Sequence, residues 1–349
     1  MSRDKKLLIG VVVLAGLAGL VYRQMNVDSK KGAPTAAQTE LPEIKSPDDI
    51  DKISLTNGDK GEVVLEKFCD KWSVTKPVKA PANQGSVKSL IDNMKELKAK
   101  EVISTTVDDA LKKEYNLTPA LALHVMAWKG ADKKVDDWFG KTGSRGEMMM
   151  VEGKPIVYSA SGYSSYLYNK TASEWRDKEI WKFDDANVSS ILITNKTGKF
   201  SFTKGEHWAG TLKDKPIDRF DEDKVKDLLR NFKSLNANDF AEEKKTPADT
   251  GMDAPDAEIV FTLKDNAGKF DLKVGKTQTG NARYAMKDGD PVVYVVGAAE
   301  SDWSIAEAAR FQKPLDGGAG KDGASATAPK GMPPGMGMPP GMTMPPGHP

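Results

Sequence analysis

Residues 87–102, VKSLIDNMKELKAKEV, and residues 225–240, VKDLLRNFKSLNANDF, align without a gap and share seven of sixteen positions. Their apolar positions coincide: Val87, Leu90, Ile91, Met94 and Leu97 against Val225, Leu228, Leu229, Phe232 and Leu235. That spacing is one face of an amphipathic helix. In the same register Asn83 stands against Asp221. Both suit an N-cap, where a side-chain oxygen accepts an orphan amide of the first turn. Each buried apolar side chain contributes roughly 1.5–3 kcal/mol before entropy, so five of them fix how such a helix docks.

Working outward, further landmarks recur in order. Trp72 and Trp208 precede the two helices, and Gly140-Lys141-Thr142 answers Gly275-Lys276-Thr277. Gly153-Lys154-Pro155-Ile156-Val157-Tyr158 answers Gly289-Asp290-Pro291-Val292-Val293-Tyr294, and Trp175 is set against Trp303. The offsets are 138, 135, 136 and 128, which differ by loop-sized amounts. An ordered series of this kind implies duplication. Between landmarks the chain alternates as antiparallel strands do: Leu121, Leu123, Val125 and Ala127 in one copy, Ile259, Phe261 and Leu263 in the other. Each copy reads as a short β-hairpin, one helix, a four-strand meander and a short closing helix near 163–167 or 305–310. The expected fold class is α+β: two tandem homologous modules, 49–187 and 188–314, each an antiparallel sheet with one main amphipathic helix.

The order of these landmarks carries a family resemblance. The first copy runs Trp72, Pro77, Leu97-Lys98-Ala99, Tyr115-Asn116-Leu117-Thr118-Pro119, Gly140-Lys141 and Trp175-Arg176-Asp177-Lys178. Over about residues 49–314 this resembles the bacterial family called domain of unknown function 4340. The second copy departs at the turn, reading Thr250-Gly251-Met252-Asp253-Ala254-Pro255. The resemblance implies an anchored envelope protein, often associated with ABC-type transporter or gliding-type export systems. It brings no catalytic residues with it.

Outside the modules, residues 7–22 read LLIGVVVLAGLAGLVY without a charge, behind Arg3, Lys5 and Lys6. Within 1–23 this is a signal anchor with a transmembrane span at 7–22, and Gly16-Leu17-Ala18 offers a cleaved signal peptide as the alternative. The basic N-terminus favours the inside, which places the protein in a bacterial inner membrane as a single-pass chain with its C-terminal part in the periplasm. Residues 24–48, with Pro34, Pro42 and Pro47, form a linker. Residues 315–349 end in KGMPPGMGMPPGMTMPPGHP, too rich in Gly and Pro to build a core. Met336, Met338, Met342, Met344 and His348 supply soft ligands for Cu(I).

The chemistry-bearing motifs are few. In 349 residues the charges nearly cancel, at a net +1, which gives no electrostatic case for nucleic acid. The single cysteine, Cys69, forms no intramolecular disulfide and has no histidine beside it in sequence. The two Gly-Lys-Thr triplets lack the glycine that a phosphate cradle needs five residues earlier, where Val135 and Phe270 stand, so they read as turns and no nucleotide is expected. His124, His207 and His348 are not at metal-ligand spacing. Ser161-Gly162-Tyr163-Ser164-Ser165 is not a nucleophile elbow. Trp72 and Trp208 recur at one module position, which favours packing. Tyr163, Tyr166 and Tyr168 form the densest aromatic cluster, absent from the second copy, and are the better contact candidates. No catalytic, cofactor-binding or metal residue is assigned. The expected function is that of a non-catalytic, membrane-anchored accessory or scaffold protein of an envelope transporter complex of ABC type. The alternatives are a Cu(I)-handling protein acting through the Met-rich tail and a periplasmic carbohydrate-binding or hydrolytic protein.

Overall fold

A computed structural model of the chain describes Leu41 and residues 49–315. The expected anchor and, but for Leu41 and Leu315, the linker and tail lie outside the described residues. Among the described residues no helix is long and apolar enough to cross a membrane.

The first part of the chain runs β1 (Lys52–Asn57), β2 (Gly61–Phe68), β3 (Lys71–Lys76), β4 (Ala80–Pro81), α1 (Gln84–Glu96), β5 (Lys98–Ser104), α2 (Asp109–Glu114), β6 (Leu123–Lys129), β7 (Asp132–Gly143), β8 (Gly146–Val151), β9 (Val157–Ser161), α3 (Ser165–Tyr168) and α4 (Ala172–Trp175). Its nine strands form one antiparallel sheet in the order β4-β3-β2-β1-β6-β7-β8-β9-β5. Alternation sets the faces. Ile53 and Leu55 pair with Ala127 and Val125, and all four are buried in one cluster with Val87, Leu90 and Met94 of α1. The thirteen residues of α1, about 20 Å long, carry the chain from β4 at one edge to β5 at the other. Asn83 caps this helix as expected, its Oδ1 accepting the Ser86 amide at 2.8 Å. A smaller cluster on Leu117, Met148 and Val157 covers part of the opposite face, with Leu111 of α2 packed against it.

The second part runs β10 (Glu179–Lys182), β11 (Val188–Asn195), β12 (Gly198–Lys204), β13 (Trp208–Leu212), β14 (Lys215–Pro216), α5 (Glu222–Phe232), β15 (Ser234–Asn236), β16 (Asp239–Phe240), α6 (Pro247–Thr250), β17 (Ala257–Leu263), β18 (Lys269–Thr279), β19 (Ala282–Lys287), β20 (Val293–Val296) and α7 (Ala298–Ser304). Its sheet is ordered β14-β13-β12-β11-β17-β18-β19-β20-β16, position for position the order of the first. Val225, Leu228, Leu229 and Phe232 of α5 are buried with Ile191, Ile193, Ile259 and Phe261 of the strands. Asp221 caps α5 through the Asp223 amide. The mostly antiparallel sheets and their covering helices make an α+β fold.

Several expectations are corrected. The hairpin before each helix is a three-strand meander with a two-residue stub, and a further edge strand follows each helix. The edge strand β5, KAKEVIS, has no buried residue, so no alternation announces it. Leu121 is exposed, and the inward register begins at Leu123. The boundary expected between 187 and 188 falls earlier, because Ile180, Trp181 and Phe183 are buried in the second core and β10 pairs with β15. The partner of Trp175 is Phe311 rather than Trp303. The Asn83 amide donates to the Trp175 carbonyl and the Asp221 amide to that of Phe311.

Candidate functional site

The Gly-Lys-Thr triplets lie inside β7 and β18, not in turns, where the ladder shifts register between Phe139 and Thr142 and between Val274 and Thr277. Glycine is required there by close backbone approach. A Cβ on Gly140 would stand 2.1 Å from the Tyr115 carbonyl oxygen, and one on Gly275 would stand 2.3 Å from that of Thr250. The strand continues past each triplet, where a phosphate cradle would open into a helix. His124 lies on the face opposite Leu123 and Val125, stacked on Trp138 at 3.8 Å with Nε2 2.7 Å from an Asp136 carboxylate oxygen. His207 is exposed, 3.5 Å from Glu222, and His348 lies outside the described residues. Among the described residues no group of three or more His, Cys, Asp or Glu is placed to hold a metal. Trp72 and Trp208 are buried in their cores. Cys69 is exposed in the β2–β3 turn.

The tyrosine cluster divides. Tyr168 is buried, and Tyr163 stacks between it and Phe139, with ring centroids 4.9 and 4.3 Å away. Tyr166 alone is well exposed, at 72%. Two carboxylates flank the stack. Asp137 takes an inward position on β7 between Val135 and Phe139 and is 4% exposed. Burial raises its carboxyl to about 7, the nearby Asp136 charge adds to the rise, and Lys154 opposes it. Glu147, also buried, is raised by desolvation, against which a hydrogen bond from Thr142 Oγ1 acts. Desolvation likewise raises Tyr163, with the Glu147 charge adding to it, and Tyr168, with Tyr163 and Asp137 adding. A groove of about 300 Å³ opens beside the cluster, lined by Thr142, Glu147, Tyr163, Ser164 and Tyr166 among others. Asp137 can hold a proton near neutrality and lies outside the lining of that groove. The sequence signal for it was a charge on the inward register Val135-x-Asp137-x-Phe139, which the alternation reading passed over. In the second sheet, Val125↔Asp137 is answered by Ile259↔Leu272, and Thr142↔Glu147 by Thr277↔Arg283. The acidic pair belongs to the first sheet alone.

The segment Trp175-Arg176-Asp177-Lys178 forms a joint between the two cores. Trp175 is wholly buried in the first core. The Arg176 guanidinium carbon lies 3.4 Å from the centroid of the Phe240 ring. Lys178 Nζ donates to the Asn238 carbonyl at 2.6 Å, the Ala237 amide donates to the Lys178 carbonyl at 2.8 Å, and Ser173 Oγ donates to Asp239. Arg176 Nε is buried without a partner, and burial weakens the guanidinium's hold on its proton. Within this segment Trp175 serves as a hydrophobic anchor, Arg176 as a cation over an aromatic ring, and Lys178 as the source of two links to the second sheet.

One family model, described as Domain of unknown function (DUF4340), matches residues 72–255. The match covers more than half of the chain and runs from β3 through the joint to the residues just before β17. No curated protein and no solved structure matches the chain.

Proposed function

The chain belongs to the DUF4340 family, and we propose that it is a non-catalytic, membrane-anchored accessory or scaffold protein of a bacterial envelope transporter complex of ABC type. In this reading residues 7–22 hold the chain in the inner membrane and the two sheets stand in the periplasm as tandem copies of one module. The common strand order and the paired caps, Asn83 and Asp221, support the duplication. The observation that carries the functional reading is the joint. Two sheets tied by Arg176, Lys178 and Ser173 offer a partner one extended, fixed surface. Such a surface lowers the ordering cost of association. A docking scaffold gains directly from this rigidity.

The test is capture of the full-length, C-terminally tagged protein from mildly solubilised native membranes, with co-purifying proteins identified by mass spectrometry. The reading expects permease or ATPase subunits. A form beginning at Lys30, exported by a cleavable signal, separates contacts of the anchor from contacts of the modules. Recovery of unrelated envelope proteins only, across several detergents, would sink the reading.

A further inference from the structure

We propose that the groove where α5 meets the segment 309–315 is a binding site for a phosphate-bearing anion. The groove has a volume of about 650 Å³, and Arg219, Lys224, Arg310 and Lys313 line it together with Trp303 and Gln312. Asp227 is the one carboxylate in the lining, and its oxygen already accepts a hydrogen bond from Arg230 Nη1 at 2.9 Å. Nearby Asp223 is bound by Lys226 at 2.7 Å. Lys224, Arg310 and Lys313 make no ion pair among the described residues, and Arg219 is 3.5 Å from Asp218. Four cations thus converge around one lining carboxylate, although the charges of Lys224 and Lys313 also act on Asp223 and Arg219 Nη1 donates to the Lys313 carbonyl.

Two features make this more than a scatter of surface charge. Arg310 packs over the Trp303 ring, its guanidinium carbon 3.9 Å from the centroid. A stacked guanidinium keeps its edge N–H groups in a fixed fork, the geometry that reads phosphate oxygens in pairs. The backbone frame, moreover, recurs without these charges. The Lys313 amide donates to the Arg219 carbonyl at 2.8 Å, as the Asp177 amide donates to that of Pro81 at 2.9 Å in the first part of the chain. The isolated pairing of Phe220 with Gln312 likewise matches that of Ala82 with Arg176. At matching backbone positions the first part carries Pro81, Ser86, Glu174 and Asp177 where the second carries Arg219, Lys224, Arg310 and Lys313. One scaffold supports both sets, so beyond the Arg219 bond to the Lys313 carbonyl and the Arg310 contact with Trp303 the accumulated positive charge answers to something other than folding.

The probe is inorganic pyrophosphate, titrated by calorimetry into the full-length chain in neutral detergent. Saturable one-to-one binding is expected, weakening as salt is added. Arg310→Gln and Lys224→Gln are each expected to weaken it about tenfold, the scale of one lost charge-assisted contact. Lys88→Gln, on exposed α1 surface, should leave it unchanged. Lys224 is half-buried on α5 and is not the residue that packs over Trp303, so its variant tests the charge even if Arg310→Gln loosens Trp303. No saturable binding, or equal binding by both variants and the parent, overturns the proposal. Repeating the titration in nanodiscs separates two sources of the same chemistry. Competition by anionic but not zwitterionic lipid, lost in Arg310→Gln, identifies a lipid headgroup, and equal affinity in both identifies a soluble phosphate compound.

Discussion

Asp137 shows what a single inward charge does to a β-sheet core. Its carboxyl titrates near 7 in the folded chain against an ordinary value of 3.8, so the folded state binds the proton more tightly than the unfolded chain does. By linkage, the stability this confers is fully present below about pH 4 and is lost as pH rises through about 7. The loss amounts to at most ~4 kcal/mol. Leu272 fills the answering position in the second sheet, so Asp137→Leu is expected to fit the site. It should raise stability at pH 8 by a few kcal/mol and remove most of the difference between pH 5 and pH 8. Denaturant titrations of parent and variant at both values check this; an unchanged pH dependence in the variant would assign the slope elsewhere. Gly140 makes the converse point. Alanine there drives a methyl to 2.1 Å from the Tyr115 oxygen, and Gly140→Ala is expected to cost more than ~2 kcal/mol. A melting temperature within a degree of the parent would contradict the backbone-approach argument.

At the scale of elements, α1 and α5 dock by the same stripe. Leu90 and Leu228 are each fully buried, and truncation of either to alanine is expected to cost ~2–5 kcal/mol. Asn83→Ala and Asp221→Ala should each cost ~1 kcal/mol through the lost cap. Chemical denaturation of the four variants checks both sets, and an inversion, with the caps costing more than the leucines, would refute the docking argument. These helices and caps were legible in sequence because a 3.6-residue period over eleven positions, stated twice, leaves little freedom. The four-strand meanders were legible through a period of two instead, in Leu123, Val125 and Ala127 and in Ile259 and Phe261. What escaped were elements whose residues carry no period. β5 has no fully buried residue, β16 is two residues long, and β10 packs two successive residues, Ile180 and Trp181, into the second core. The candidate site was legible only as aromatic density around Tyr163 and Tyr168. The basic groove was not, because Arg219, Lys224, Arg310 and Lys313 span 95 residues of sequence and meet only when the last segment pairs beside Phe220.

At the scale of the molecule, two sheets of one strand order are held together by a four-residue joint, and the scaffold reading depends on that coupling. Hydrogen exchange of the full-length chain, followed by mass spectrometry in the parent and in Arg176→Ala, tests it most directly. The stacked contact with Phe240 ties β16 to the first core. Its loss is therefore predicted to deprotect residues 179–182 and 234–240 while peptides from α1 and α5 keep their protection. Unchanged exchange at 179–182 and 234–240, or deprotection spreading equally through both helices, would contradict a joint that couples two independently packed cores.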